Sequence, residues 1–351
     1  MIAALIPEHL FTDLASAEWA LWGLAAGGLA VLVVGADRMV TAAAKLATAL
    51  GVSKVIIGAT VVSLGTTSPE ASVSVMAAWR GNPGLALGNG IGSIICNMAL
   101  IFGLSCALKR LPLDRYVLNR QGLFQFGSAL LLGATVLGLW AAAGGTLTGV
   151  MIHRWIGFTY LALLAGYLAL SVRWGREHPE LVPAEAALHM KKNHVVRRAL
   201  GNFAIVAAGL AAVVFSSEVL VGSATQIARN HRIPETVIAA TFVAFGTSLP
   251  ELVTAVASLM KGHSEISLGN VVGANVLNVL FVIGAAAAAM PLKVDAATFH
   301  FMIPAMLVVL GLFQLYVLFN RDSFRRWQGV LLLGLYAAFI LVSVLRYGVG
   351  L

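Results

Sequence analysis

Two six-residue stretches carry the residues best suited to chemistry: Gly65-Thr66-Thr67-Ser68-Pro69-Glu70 and Gly246-Thr247-Ser248-Leu249-Pro250-Glu251. Each lies near the middle of a long apolar run, where a charged side chain costs roughly 2.5–3.5 kcal/mol on insertion scales. Each glutamate follows a proline, which has no N–H and clashes with the carbonyl four residues earlier, so a helix bends or opens there. The carbonyls released are those of Gly65 and Gly246. A broken helix at that depth is tolerated only inside protein or beside a wet cavity. Each stretch therefore gathers a carboxylate, hydroxyls and loose backbone carbonyls, the hard oxygen ligands that hold hard cations. Of fifteen acidic residues only Glu70 and Glu251 fall mid-run, and no Lys or Arg lies mid-span to make a structural ion pair with them. An intramembrane ionisable group is functional by default.

The elements that must position these residues are duplicated. The two stretches lie 181 residues apart, and the same offset carries Thr60 onto Thr241, Gly88-Asn89 onto Gly269-Asn270, Gly92 onto Gly273, Asn97 onto Asn278, Gly103 onto Gly284 and Asp37 onto Glu218. Repeats with sites on interrupted helices near the midplane point to a secondary transporter.

The chain is 59% hydrophobic and 11% charged, with a mean hydropathy of +0.90. A soluble domain has about 25% charged residues, so this is a polytopic membrane protein. A span needs about 20 apolar residues. Ten runs qualify, at about 19–40, 55–80, 85–108, 120–141, 152–172, 199–222, 235–260, 266–290, 297–319 and 327–346. The expected fold is all-α, with ten transmembrane helices as two inverted five-helix repeats, 1–172 and 199–351, joined by a basic linker at 173–198. Of 23 Lys and Arg residues, only Arg80, Arg154, Arg229, Arg232, Lys293 and Arg346 fall on one side of the membrane, and the remainder on the other. The richer side is expected to be cytoplasmic, with both termini outside. Five spans per repeat then insert the halves in opposite senses.

The N-terminus reads as a short amphipathic lead-in rather than a removed signal peptide. Cys96 and Cys106, ten residues apart on one helix and thus roughly 15 Å from each other, read as buried free thiols. The net charge of +8 sits in the loops and does not point to nucleic acid. No Walker A sequence or His-Glu-x-x-His occurs, and Gly88-Asn89-Gly90-Ile91-Gly92 has the wrong spacing for a nucleotide loop.

The third and eighth runs supply a second wall. Gly88-Asn89, Gly92-Ser93 and Asn97 step by four, near one helical face, as do Gly269-Asn270, Gly273-Ala274 and Asn278. The glycines read as close helix packing; Asn97 and Asn278 read as cation-facing. Asp37, beside Arg38, and Glu218 lie at span ends and read as interfacial.

Gly-Thr-Ser-x-Pro-Glu, followed by Gly-Asn-x-x-Gly-Ser-Asn-x-x-Asn and present twice, resembles the paired α-repeats of the calcium/cation antiporter superfamily, the sodium/calcium exchangers. The resemblance covers essentially the whole chain and is to the compact prokaryotic members, which implies a prokaryotic inner membrane. It implies Ca²⁺ and Na⁺ as transported ions, with H⁺ in play, no organic cofactor, and a monomer sufficient for transport with the oligomeric state left open, with the bilayer and the cations as partners. By motif position, Glu70, Glu251 and the main-chain oxygens of Thr66 and Thr247 would hold Ca²⁺. Thr67, Ser248, Ser63, Ser93 and the backbone of Ala244 would serve Na⁺, and Asn97 and Asn278 would line the centre. The chain departs from the pattern at Ser68 for Leu, Ile94 for Asn, and Ala274 for Ser, which loses a hydroxyl. Asn278 stands where some members have Asp, so the site holds two formal charges.

The expected mechanism is alternating access, with an empty, doubly charged site unable to cross. The runner-up is H⁺/Ca²⁺ antiport. A cation channel would show flux far above a carrier's, and an intramembrane protease lacks its ligand triad or nucleophile–base pair.

Overall fold

The computed structural model describes residues 9–50, 52–111, 115–177, 192–231, 244–320, 322–343 and 345. After one helical turn, His9–Asp13, the described elements are α1 (Glu18–Leu50), α2a (Lys54–Thr66), α2b (Ser68–Trp79), α3 (Pro83–Leu108), α4 (Arg115–Ala142) and α5 (Arg154–Glu177). The second half continues with α6 (Lys192–Asn230), α7a (Ala244–Thr247), α7b (Leu249–Met260), α8 (Ser264–Ala289), α9 (Thr298–Phe319) and α10 (Arg326–Val342). Among the described residues, seven of these are long and apolar enough to cross a membrane; α2 and α7 are interrupted and α10 is shorter.

The helices overrun the apolar runs. α1 extends to Leu50, and α6 covers Lys192–Asn230 rather than 199–222. Both ends of the basic 173–198 segment are helical, through Glu177 and from Lys192, while 178–191 lies outside the described residues, as does the 235–243 part of the seventh run. No proline interrupts these polar extensions, so backbone hydrogen bonding carries them past the apolar stretch.

α3 and α8 form the centre: 72% and 83% of their most apolar windows are buried, against 28% for α1 and α6. α1 and α6 lie side by side on the flank. Gly28 and Gly35 of α1 face Ser216 and Ala212 of α6 at a separation where a Cβ would stand 3.2 Å from the partner atom. Small residues of this kind let backbones approach where water exclusion gives no drive. Their outer faces carry exposed Trp19, Trp22, Leu29, Val33, Phe203 and Phe215, an apolar surface suited to lipid. The lead-in packs through Phe11 onto Leu21 and Ile227.

The repeats interlock by exchange. α5, closing the first repeat, packs on the end of α8, where a side chain on Gly157 would collide with the Gly284 carbonyl. α10, closing the second, packs on α3 with Gly329 against the Gly103 carbonyl. Gly103 and Gly284 are counterparts at the 181-residue offset.

One departure from an all-helical chain is a two-stranded clip, Met151–Ile152 (β1) paired antiparallel with Leu292–Lys293 (β2) in register Met151↔Lys293 and Ile152↔Leu292. On the opposite side the Phe324 N–H donates to the Leu111 carbonyl at 3.0 Å; Leu111 is the counterpart of Leu292. The loops sort accordingly. The turns before α2a and after α7b meet through Lys54 Nζ and His263 Nδ1, 3.4 Å apart. The turn before α1 and the end of α6 meet on the other side through Glu18 and His231 at 3.0 Å.

Candidate cation site

The site is built on two helix breaks. α2a ends at Thr66, Thr67 forms a turn with φ −84° and ψ −6°, and α2b restarts at Ser68 with Pro69 in its first turn. The second copy breaks at Ser248, with φ −91° and ψ 5°, and Pro250 in the first turn of α7b. The cause is the one read from sequence: Pro69 and Pro250 offer no N–H to the carbonyls of Gly65 and Gly246. Each break puts a carbonyl-bearing helix end, α2a or α7a, beside the N-terminus of α2b or α7b, whose first turns hold Glu70 and Glu251. The helix dipole favours an acidic side chain there. α6 braces both breaks, with Leu210 filling the space over Gly65 and Val221 that over Gly246.

α8 seals the site against α2a. A Cβ on Gly269 would fall on the Val55 carbonyl and one on Gly273 on the Ala59 carbonyl; a Cβ on Gly58 of α2a would stand 2.5 Å from the Ile266 carbonyl. At this level the helices are wound with π spacing, at Gly58–Val62, Cys96–Phe102 and Asn278–Ile283. Such bulges are frequent at functional sites, and here the second and third begin at or beside Asn97 and Asn278.

The candidate residues fall as follows. Ser63, Thr66, Thr67, Glu70, Ser93, Asn97, Ser248, Glu251 and Asn278 are all buried, at 5% exposure or less. Thr247 is half-buried on α7a, and Ala244 begins that helix. A direct bond joins the two repeats: Thr67 Oγ1 donates to Glu251 Oε1 at 3.3 Å. Glu70 and Glu251 lie in each other's field. Thr66 Oγ1 is 3.3 Å from both the Ser63 carbonyl and Asn270 Oδ1. Ser63 Oγ bonds back to Thr60 O at 3.3 Å.

Both carboxylate oxygens of Glu70, Oε2 of Glu251, both amide atoms of Asn97 and Asn278, and Ser248 Oγ are buried without a hydrogen-bond partner. An unsatisfied buried polar group costs about 1–3 kcal/mol, and more when charged. A cluster of such oxygens has the chemistry of a binding site for a hard cation. Among the described residues no three His, Cys, Asp or Glu side chains converge as a metal-binding group.

Sequence reasoning missed several residues. Asn275 is buried with both amide atoms unpaired, as are the Thr254 and Ser258 hydroxyls, which follow Glu251 along α7b. Asn270, given no role by its sequence position, reaches Thr66. The helical spacing of 251, 254 and 258 was the available signal. Asp37 does not rely on Arg38: it pairs with Lys261 Nζ at 2.7 Å, and the same ammonium donates to Thr41 Oγ1 at 2.8 Å. Cys96 and Cys106 are buried free thiols.

Comparison with known proteins decides the family. A family model described as sodium/calcium exchanger protein matches residues 20–173 and 201–345, starting at the same 181-residue offset. This chain belongs to the sodium/calcium exchanger family. The exchanger is 34% identical to the putative antiporter CaxA of Alkalimonas amylolytica, over 77% of this chain and 81% of that one. It is 32% identical to the inner membrane protein YrbG of Escherichia coli, over 88% and 91%, and 30% identical to the sodium/calcium exchanger MaX1 of Methanosarcina acetivorans, over 90% and 96%. Among solved structures it matches the sodium-calcium exchanger NCX_Mj with a TM-score of 0.77 at 29% identity, covering 92% of this chain and 99% of that one. The exchanger is thus a multi-pass membrane cation antiporter with the ten-helix inverted-repeat fold, and not an enzyme.

Proposed function

We propose that the protein exchanges Ca²⁺ for Na⁺ by alternating access. The observation that carries the reading is the meeting of two buried carboxylates at the two breaks, with Thr67 of one repeat bonded to Glu251 of the other. In this reading Glu70 and Glu251 bind Ca²⁺ with the main-chain oxygens of Thr66 and Thr247. Thr67, Ser248, Ser63, Ser93 and the Ala244 carbonyl serve Na⁺, and Asn97 and Asn278 line the centre. Two formal negative charges balance one Ca²⁺ without remainder. Two carboxylates out of water are stable only when cations neutralise them, so the empty site does not cross and exchange prevails over leak. α1 and α6, braced against the breaks but least buried, move against the core to expose each face. The division into repeats at 1–172 and 199–351 rests on the 181-residue offset; the placement of the 173–198 segment in the cytoplasm and of both termini outside rests on the positive-inside rule. An inner-membrane location is supported by the relative YrbG.

A second reading, H⁺/Ca²⁺ antiport, is favoured by one observation: Asn97 and Asn278 are both neutral, so two protons balance the site as well as two Na⁺ do. Uptake of ⁴⁵Ca²⁺ into proteoliposomes loaded with Na⁺, against vesicles loaded with K⁺ or choline at buffered internal pH, separates them. Uptake requiring internal Na⁺ supports the first; uptake driven by a pH gradient with Na⁺ irrelevant replaces it with the second.

A further inference from the structure

Asn89 and Asn270 are counterparts in the two repeats, yet they are held differently. The Asn89 amide Nδ2 stays in its own repeat, donating to the Glu70 carbonyl at 3.1 Å and to Ser74 Oγ at 3.0 Å. Ser74 has Ala255 as its counterpart. Asn270 faces no such hydroxyl and reaches across to the first repeat. Its Oδ1 accepts from Thr66 Oγ1 at 3.3 Å, and its Nδ2 is buried without a partner. The Asn270 backbone is held close to α2a, since a Cβ on Gly58 would stand 3.0 Å from its nitrogen. The short side chain therefore has little freedom to leave Thr66.

Thr66 is fully buried and borders the Glu251 carboxylate, to which the adjacent Thr67 hydroxyl donates at 3.3 Å. A threonine hydroxyl has one proton and two lone pairs. Given to Glu251, the proton would compete with a cation for a carboxylate oxygen. Given to Asn270 Oδ1, or to the Ser63 carbonyl at the same 3.3 Å, it turns a lone pair of Thr66 toward the carboxylates and leaves Glu251 free. We propose that Asn270 is a positioning residue of the cation site, holding the Thr66 proton away from Glu251 together with the Ser63 carbonyl, and that Ala255 is the difference between the repeats that releases it for this task. This rests on the cation site proposed above. It also makes the two repeats unequal, because Asn89 is engaged elsewhere.

The test is Ca²⁺ titration of the purified full-length protein by calorimetry, repeated with Na⁺ as competitor, with unfolding midpoints recorded for every variant. N270A and, independently, A255S, which offers the Asn270 amide the hydroxyl that Asn89 has, should each weaken Ca²⁺ binding about 3- to 10-fold, the range one hydrogen bond supplies. T66V should do likewise, and T66V/N270A should bind no more weakly than T66V alone, because the second residue acts through the first. A255S is nearly isosteric and keeps the test open should N270A fail to fold. Binding within twofold of wild type in A255S and N270A, or a double variant showing the product of the single losses, overturns the proposal. E251Q separates the two levels. Loss of binding in E251Q with N270A and A255S unchanged overturns only the role of Asn270; wild-type binding in E251Q, or none in the wild type, overturns the site itself.

Discussion

The Thr67 hydroxyl of the first repeat donates to the Glu251 carboxylate of the second at 3.3 Å, so the two helix breaks share a bond although their glutamates stand 181 residues apart. Glu70→Gln and Glu251→Gln keep shape and remove charge; each should reduce ⁴⁵Ca²⁺ uptake in proteoliposomes to background. A variant exchanging at the wild-type rate removes that carboxylate from the site. Thr67→Val should be milder, weakening binding several-fold, as the loss of one hydrogen bond does.

The packing of α8 on α2a makes a stability prediction. In Gly269→Ala the added methyl meets the Val55 carbonyl, a backbone atom that cannot swing away. Overpacking of this kind costs about 1–3 kcal/mol and should lower the thermal unfolding midpoint in detergent. Gly27→Ala on α1 is the contrast, with nothing within 4 Å of the new methyl. Alanine is favoured over glycine inside a helix by up to about 1 kcal/mol, so this variant should hold or raise the midpoint.

Lys261→Met breaks the bonds to Asp37 and Thr41. The side chains of the pair are 27% and 52% exposed, which places it with ion pairs worth about 0–1 kcal/mol. The midpoint should shift little, and the shift should vanish in concentrated choline chloride, which screens charge without supplying Na⁺. A large, salt-insensitive loss would show that Lys261 packs rather than pairs.

His263 gives a pH dependence. Partial burial, then the neighbouring Lys54 ammonium and, less, Lys261, hold its pKa below the ordinary 6.5, while Glu265 pulls the other way. Between its lowered folded-state value and about pH 6.5 the unfolded chain binds this proton and the folded chain does not. Stability must therefore fall on acidification through that window, and be unaffected by His263 above it. The drop in unfolding midpoint between pH 7.5 and 5.5 should be smaller in His263→Gln. Equal drops would remove His263 from the balance.

The breaks, their two glutamates and the duplication were legible in the sequence because each is a local rule violation: proline before a carboxylate inside an apolar run, made twice. Helix identity and order were legible for the same kind of reason, since apolar length is read along the chain. The Asp37–Lys261 pair was not, because Arg38 is adjacent in sequence while Lys261 comes from another helix. The π-wound turns were not, because no single residue in Cys96–Phe102 or Asn278–Ile283 dictates them; they follow from packing. Asn270 was given no role because its partner, Thr66, lies in the other repeat, 204 residues away. Where the repeats agree the sequence was readable; where they differ by one hydroxyl, only the contacts disclosed the effect.

The clip between Met151–Ile152 and Leu292–Lys293 also bears on how the protein is made. Its first strand leaves the ribosome about 140 residues before its partner, which at 5–20 residues per second is a wait on the order of ten seconds. The same delay separates α5 from the end of α8 on which it packs. A nascent first repeat therefore spends that interval with glycine-lined grooves open to lipid and to other inserting chains. Its lasting partners arrive only with the final third of translation.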